Sequence, residues 1–411
     1  MSDRIILHSD INNFYASAEI LNMPEYKNVP LAVSGDPERR HGIILAKNMP
    51  AKAFGVKTGE AIWQAKQKCP ELVCVPPHFE EYSELSERVF KIYTEYTDLV
   101  EPFGPDESWL DVTNSTKLFG NGEEIAQKIR ARIPRETGLT VSIGVSFNKI
   151  FAKLGSDLKK PDAVSVISRE NFRRVIWRLD ADSIMGIGQA TSDKLKKLNV
   201  HTIGDLANAP EDMLKSHFGI IGQRLKHYAL GLDNEPVREY YKTRLVESVG
   251  HGITATRDLS TEEDVRILIY YLADLVGARL RKHEFKAAKT AVSLRDNTLS
   301  TISRQGALRT PTASGTDIAE CAYKLAQAAR AVNAPPLRTI TVTAFSLSNT
   351  DDIVPADLFD HTSDIKKERL DAGLDKIRAK FGRNAVVRGN LIAAEFIYDK
   401  VDAETFLPFK R

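Results

Sequence analysis

The 411 residues predict a multi-domain α/β chain. Three observations carry that expectation. Residues 1–167 interleave short apolar strands with amphipathic helices. Residues 168–233 read as helical and contain a Gly-Ile-Gly turn. Residues 246–348 follow the order strand, helix, strand, strand, helix, strand, which is the split βαβ arrangement. A chain of this length exceeds one ordinary core. Its composition, 42% hydrophobic and 27% charged, is that of a globular protein. No apolar run is long enough to span a bilayer, and the start, Met-Ser-Asp-Arg, has no signal-peptide core. A cytoplasmic location without membrane attachment is therefore expected. Cys69, Cys74 and Cys321 suit a reducing compartment. Cys69 and Cys74, even with His78 nearby, fall short of the four ligands of a zinc site.

Taken in order, the first ten residues form a strand that ends on Asp10. Ile11–Leu21 turns helical, with Phe14, Ala18 and Leu21 on one face. Pro30–Val33 and Gly42–Ala46 read as short strands, and Ala51–Phe54 and Glu60–Lys68 as helices. Glu81–Leu99 has Leu85, Val89, Ile92 and Tyr96 at helical spacing. Glu101-Pro-Phe-Gly-Pro then favours a turn, because proline fixes φ and glycine admits unusual dihedrals. Ser108–Thr113 alternates like a strand. Gly122–Ile133 is a further helix and Thr140–Val145 a further strand. Ser168–Asp180 opens the helical region. Inside it, Met185–Leu198 looks like a helix-hairpin-helix, whose Gly186-Ile-Gly188 turn offers backbone N–H groups to a phosphate. Lys194, Lys196 and Lys197 flank that turn, and Phe218-Gly-Ile-Ile-Gly222 is a second glycine turn. Asp233–Thr243 reads as a linker. The split βαβ region places strands at 247–256, 289–294, 300–305 and 337–347, with helices at 261–283 and 315–332. Residues 238–350 hold 16 basic against 11 acidic side chains, whereas residues 351–411 hold 11 basic against 12 acidic. Arg279, Arg281, Lys282, Lys286 and Lys289 concentrate that excess and read as phosphate contacts. The tail adds a helix over Asp364–Phe381 and a strand over Gly389–Tyr398.

The chemistry centres on Phe103–Asp111, F-G-P-D-E-S-W-L-D. Asp106 and Glu107 fall at the expected hairpin tip. Asp10 ends its own strand in front of Asn-Asn-Phe-Tyr. Three carboxylates brought to strand ends repel one another unless a dication lies between them, and Mg²⁺ takes such oxygen ligands together with substrate phosphates.

These residues also carry a resemblance. Asp10-x-x-x-Phe14-Tyr15-Ala-Ser-x-Glu19, Asp106-Glu107-x-x-Leu110-Asp111, and Ser142-Ile-Gly-Val with Asn148-Lys149, Ala152-Lys153 and Ser156-Asp157-x-x-Lys160-Pro161 resemble the Y-family translesion DNA polymerases, in their bacterial DNA polymerase IV branch. The resemblance runs in order over nearly the whole chain. It implies a right-hand polymerase: a palm at 1–18 and 78–167, small fingers at 19–77, a helical thumb at 168–233, a linker at 234–245, a βαββαβ little finger at 246–348, and a C-terminal tail at 349–411. It implies a monomer acting on primer-template DNA and deoxynucleoside triphosphates.

By the same resemblance, Asp10, Asp106 and Glu107 are the catalytic acids and, with the Ile11 carbonyl, the ligands of two Mg²⁺ ions. Tyr15 matches the steric gate that excludes a ribose 2′-hydroxyl. Lys52 and Lys160 fall at triphosphate-binding positions, and Gly186, Gly188, Lys194, Arg279, Arg281 and Lys289 are candidates for DNA contact. Relatives carry a sliding-clamp peptide near residues 355–359. Here only Leu358-Phe359 remains of that pattern, and it suits either the clamp or the chain's own tail helix.

The nucleotide grip departs from the family. Met49 stands for a tyrosine, Ala46 for a hydroxyl residue and Lys52 for an arginine, whose bidentate fork a lysine does not reproduce. Lys47 or Asn48 are candidates to compensate. Asn12 stands where an acid is common, and Gly104-Pro105 precedes the acids in place of a Ser-apolar pair. The leading expectation is a low-fidelity, template-directed DNA polymerase that copies damaged templates. The alternative is a non-catalytic relative that accompanies DNA or the clamp as an accessory factor. A nucleotidyl cyclase shares the palm-like sheet but has no need of a duplex grip.

Overall fold

The computed structural model describes residues 3–36, 42–239, 246–331, 334–349, 361–382, 385–387 and 389. Residues 3–35 and 43–239 form one compact unit, and those from 246 onward form the other.

The first unit starts with β1 (Ile6–Ile11), every residue of which is buried. The helix α1 (Phe14–Asn22) follows. Phe14 and Ala18 face the core, but Leu21 does not: it is 42% exposed, and Glu19 is buried instead. A small lobe comes next, made of β2 (Leu31–Ser34), β3 (Ile44–Lys47), α2 (Met49–Ala53), α3 (Ile62–Lys68) and β4 (Val73–Val75). Its strands lie in the order β3-β2-β4, with β4 parallel to β2. The free thiols Cys69 and Cys74 are respectively buried and half-buried there.

The long helix α4 (Phe79–Thr94) stops five residues before the expected end. The chain is needed elsewhere: β5 (Val100–Pro102) pairs with β6 (Glu107–Asp111), and Leu99 accepts a hydrogen bond from Asp111 N–H. Pro102 therefore lies in a strand, and the turn is confined to Phe103–Asp106, with Gly104 at φ 88°. After α5 (Thr116–Phe119), α6 (Gly122–Thr137) is started by a reciprocal Asn121–Glu124 capping box and ended by Gly138 in the left-handed region. The remaining elements are β7 (Val141–Ser146), α7 (Lys149–Leu158) and β8 (Val164–Val166).

The main sheet runs β5-β6-β1-β7-β8. One face buries Leu7, Ile11, Leu110 and Ile143 against α4 and α6. The other carries Ile6 and Trp109, packed with Ala152 of α7 and Val237. Helix α7 lies almost on the backbone of β7. A Cβ on Gly144 would come 2.0 Å from the Ala152 carbonyl oxygen and 2.5 Å from Ser156 N. Only a residue without a side chain permits that approach, which brings the polar stripe of α7 close to the acids.

The expected helical run at 168–180 contains only α8 (Phe172–Ile176). It leads into α9 (Gln189–Lys197), α10 (Ile203–Asn208), α11 (Glu211–Phe218) and α12 (Ile220–Ala229), which share one core with Phe151 and Leu154.

The second unit is βαββαβ, as expected: β9 (Ser248–Leu259), α13 (Glu262–Lys282), β10 (Phe285–Asp296), β11 (Thr301–Thr312), α14 (Gly315–Ala329) and β12 (Leu337–Asn349). The sheet order is β11-β10-β12-β9, antiparallel throughout. Both helices cover one face, burying Val292, Ile340 and Val342. The tail helix α15 (His361–Phe381) is anchored to α13 and α14 by ion pairs. Leu358, Phe359 and most of the strand expected at 389–398 lie outside the described residues. No helix among the described residues is long and apolar enough to cross a membrane.

Candidate active site

The sheet register brings the acids together. Asp10 on β1 pairs directly with Glu107 on β6, and His8 with Trp109. Side chains alternate along a strand, so His8 and Asp10 share a face. Asp106 precedes β6 in the turn, where its carbonyl accepts from Ile11 N–H at 2.9 Å. Asp10, Ile11, Asp106 and Glu107, separated by nearly a hundred residues in sequence, thus meet at one strand end. Helix α7 completes the cluster with Lys153 and Asp157, spaced i, i+4 on one stripe, while Lys149 one turn earlier pairs with Glu101 instead. Lys153 Nζ lies 2.7 Å from Glu107 Oε1 and 3.7 Å from Asp10 Oδ2. Lys160 Nζ donates to Asp10 Oδ2 at 2.6 Å.

Burial, reinforced by Glu107, pushes the Asp10 carboxyl up to about 7. Burial and the Glu107 charge push Asp106 up to about 6. Glu107 is held below the ordinary carboxylate range: burial works against this, but hydrogen bonding from His8 and Asp10 and the charge of Lys153 outweigh it. His8 is wholly buried, which drives its imidazole down to about 4. Its Nδ1 lies 2.9 Å from Ser156 Oγ, which itself donates to the Lys153 carbonyl. Its Nε2 faces Glu107 Oε2 at 3.6 Å.

Among the described residues, no three acidic, His or Cys side chains stand close enough to hold a metal ion as they are. The lysine ammonium groups lie between the carboxylates instead. The donor set nonetheless fits a hard dication. Burial, and then Glu107, makes Asp10 and Asp106 resist ionisation, and an added positive charge relieves that cost.

Tyr15 is half-buried beside this cluster, close enough for the Asp106 charge to help raise its hydroxyl pKa after burial. Its ring stacks on Tyr82 at 4.3 Å and 13° and meets Phe79 edge-on at 5.9 Å. Tyr82 is fully buried and donates its hydroxyl to the buried Glu19, which also meets His78 Nδ1 at 2.9 Å. The gate candidate therefore rests on a fixed aromatic shelf, while Phe14 belongs to the core.

Family models described as the impB/mucB/samB family match residues 9–157, and its C-terminal domain matches 246–357. A model described as the DNA polymerase-iota thumb domain matches 182–233. A protein from Acetivibrio thermocellus named DNA polymerase IV is 46% identical over 95% of this chain and 98% of its own length. The chain belongs to the Y-family DNA polymerases. DNA polymerase IV 1 of Bacillus subtilis is 36% identical over 95% of this chain and 94% of its own. Among solved structures, a Y-family DNA polymerase chimera superposes with a TM-score of 0.75 at 26% identity, covering 83% of this chain and 98% of that one. A Dbh ternary complex does so at 0.58 and 25% identity, with the same coverage.

In this Y-family chain the nucleotide grip shows what sequence reasoning mistook. Asn48 does not stand in for a lost contact. Its Oδ1 accepts from Leu31 N and Ala51 N, both at 3.0 Å, and its Nδ2 donates to the Val29 carbonyl at 2.7 Å. Lys47 donates to Thr58 Oγ1. Lys52 lies on α2, near enough to Lys47 to lower that amine's pKa after burial has done so. Asn12 is likewise committed, holding Thr140 Oγ1 and accepting from Ser142 Oγ.

Of the DNA candidates, Gly186 takes φ +95° and Gly188 caps α9, with open space where either would carry a Cβ. Lys194 is exposed on α9, and Lys289 points from β10 away from the covering helices. Arg279 reaches back to the Gly250 carbonyl and His251. Arg281 must be corrected. Its guanidinium makes a fork with Asp375 at 2.6 and 2.9 Å, meets Asp371 at 3.3 Å and donates to the Ala313 carbonyl. A basic residue at a helix end looks free in sequence; here the tail helix covers it. The open sheet face, with Ser293, Arg295 and Thr341 beside Lys289, escaped the sequence reading because only pairing shows which side the helices take. His8 and Tyr82 were missed too, although His8 is two residues before Asp10 on a strand, which is the signal for a shared face.

Proposed function

We infer that the chain is a template-directed DNA polymerase of low fidelity that extends primers past damaged bases by nucleotidyl transfer. The observation that carries this is the meeting of Asp10, Asp106 and Glu107 at one end of the palm sheet in a chain that matches DNA polymerases IV along nearly their whole length. Asp10 and Asp106, with the Ile11 carbonyl and Glu107, would hold two Mg²⁺ ions. When bound, such ions neutralise the triphosphate and lower the pKa of the primer 3′-hydroxyl.

The protein's own part is positioning. Tyr15, braced by Tyr82, fills the space a ribose 2′-hydroxyl would need. Lys160 and Lys52 supply positive charge to the triphosphate. The Gly186–Gly188 turn, Lys194 and Lys289 contact DNA phosphates, which position the duplex without reading its sequence. The accessory-factor alternative loses ground because the relatives matched along nearly their whole length are named DNA polymerases.

The test is Mg²⁺-dependent primer extension on undamaged and damaged templates, with Asp106→Ala as control. Extension by the wild type and none by the variant is expected. Absence of extension by the wild type over a full range of nucleotide and Mg²⁺ would refute the reading.

A further inference from the structure

Asp157 is not one of the acids at the strand end, yet it touches both lysines that occupy the site. Its Oδ2 lies 3.3 Å from Lys153 Nζ and its Oδ1 2.9 Å from Lys160 Nζ. Each ammonium is therefore shared. Lys153 lies between Glu107 and Asp157, and Lys160 between Asp10 and Asp157. Asp157 is the outermost member of the network, 46% exposed at its side chain, against 17% for Lys153 and 8% for Asp10. Helical spacing fixes this geometry: Lys153 is one turn before Asp157 on α7, and Lys160 follows just after the helix ends.

Two ammonium groups thus supply two positive charges where dications are expected. A lysine and a metal ion cannot take the same carboxylate edge, so both lysines have to let go when ions enter. Charged groups leaving a partly buried site need a partner. Among the described residues the carboxylates paired with both are Asp10, which the ions would claim, and Asp157, which stands outside the metal-binding acids.

We propose that Asp157 is a positioning residue that holds Lys153 and Lys160 as a displaceable pair of internal counter-cations and retains both when divalent ions take their place. This rests on the reading of the acid cluster as a metal centre. A mere helix-stabilising pair, worth little at a surface, would leave metal affinity unchanged.

The experiment titrates the full-length protein with Mn²⁺, counting free ion by electron paramagnetic resonance, without DNA or nucleotide. Asp157→Asn should weaken binding about five-fold, the equivalent of one exposed ion pair, because the lysines then have only the site's own carboxylates to hold. Lys153→Met with Lys160→Met should bind Mn²⁺ more tightly than the wild type. In that lysine-free background Asp157→Asn should change affinity less than about two-fold, and in the wild-type background Asp157→Glu should restore it. An equal loss with and without the lysines would overturn the proposal, since it would show a simple through-space charge effect. No loss in either background would overturn it as well. Should the wild type show no Mn²⁺ binding that Asp106→Asn removes, the metal-centre reading itself fails and takes this proposal with it. Melting curves in EDTA identify any variant that has lost its fold, and Asp157, being half exposed, is not a core position.

Discussion

Replacing Asp106 with asparagine should stabilise the metal-free protein while abolishing its activity. The carboxyl is raised from 3.8 to about 6, chiefly by burial and then by Glu107. At about 1.4 kcal/mol for each tenfold change in acidity, ionising it costs up to about 3 kcal/mol in the folded state. Asparagine keeps the shape and removes that charge, so a gain of about 1–2 kcal/mol is expected once solvent relaxation is allowed for. For a unit of this size that is about 3–6 °C in Tm. The pH dependence has a definite sign. Between about 4 and 6 the folded state holds a proton that the unfolded state has released, so wild-type stability falls as pH rises through that window. The asparagine advantage should therefore be full at pH 7 and vanish near pH 4. The assay is thermal unfolding in EDTA across that range, repeated with Mg²⁺ and nucleotide. Wild type should gain stability from the ligands and the variant should not. An asparagine variant no more stable than wild type in EDTA at pH 7, or one that keeps the full Mg²⁺ response, would refute the reasoning.

The Mg²⁺-induced rise in wild-type Tm should shrink as pH falls from 8 to 5.5, because Asp10 at about 7 and Asp106 at about 6 then keep protons that compete with the ion; a response flat in pH would contradict it. Tyr15→Ala should lower the deoxyribonucleotide preference by about 10²-fold, read as the ratio of kcat/KM values, and an unchanged ratio would remove Tyr15 from the gate. Arg281→Met removes the guanidinium that ties the buried Asp371 and the neighbouring Asp375 to α13, and should cost about 3 kcal/mol in unfolding of the second unit with DNA affinity intact. Lys289→Ala should do the reverse, leaving stability within about 0.5 kcal/mol while reducing the salt slope of DNA binding by about one. Fluorescence anisotropy at several salt concentrations, beside melting curves, separates the two.

What the sequence determined by itself is whatever depends on local order. Alternating and helical periodicities marked the interleaved strands and helices, the Gly-Ile-Gly turn and the βαββαβ unit, because side-chain burial repeats at the period of the backbone. Asp10, Asp106 and Glu107 were legible because strand ends and a Gly-Pro turn flank them. Tertiary structure decided everything that depends on which surface meets which. Leu21 fits an apolar face by spacing, yet it is left 42% exposed beside Gly138, and Glu19 takes the buried place. Helix α4 stops at Thr94 because the following residues are used by β5, a demand set by strand pairing rather than by helical propensity. Arg281 and Arg279 look alike on one helix end, but only the docked α15 shows that the first is locked to acids nearly a hundred residues later. Asp157 reads as one charge among many until the close approach of α7 to Gly144 sets its lysines against the acids. Charge and pattern are properties of the chain; the partner of a charge is a property of the fold, because electrostatic and packing energies depend on distances that sequence separation does not fix.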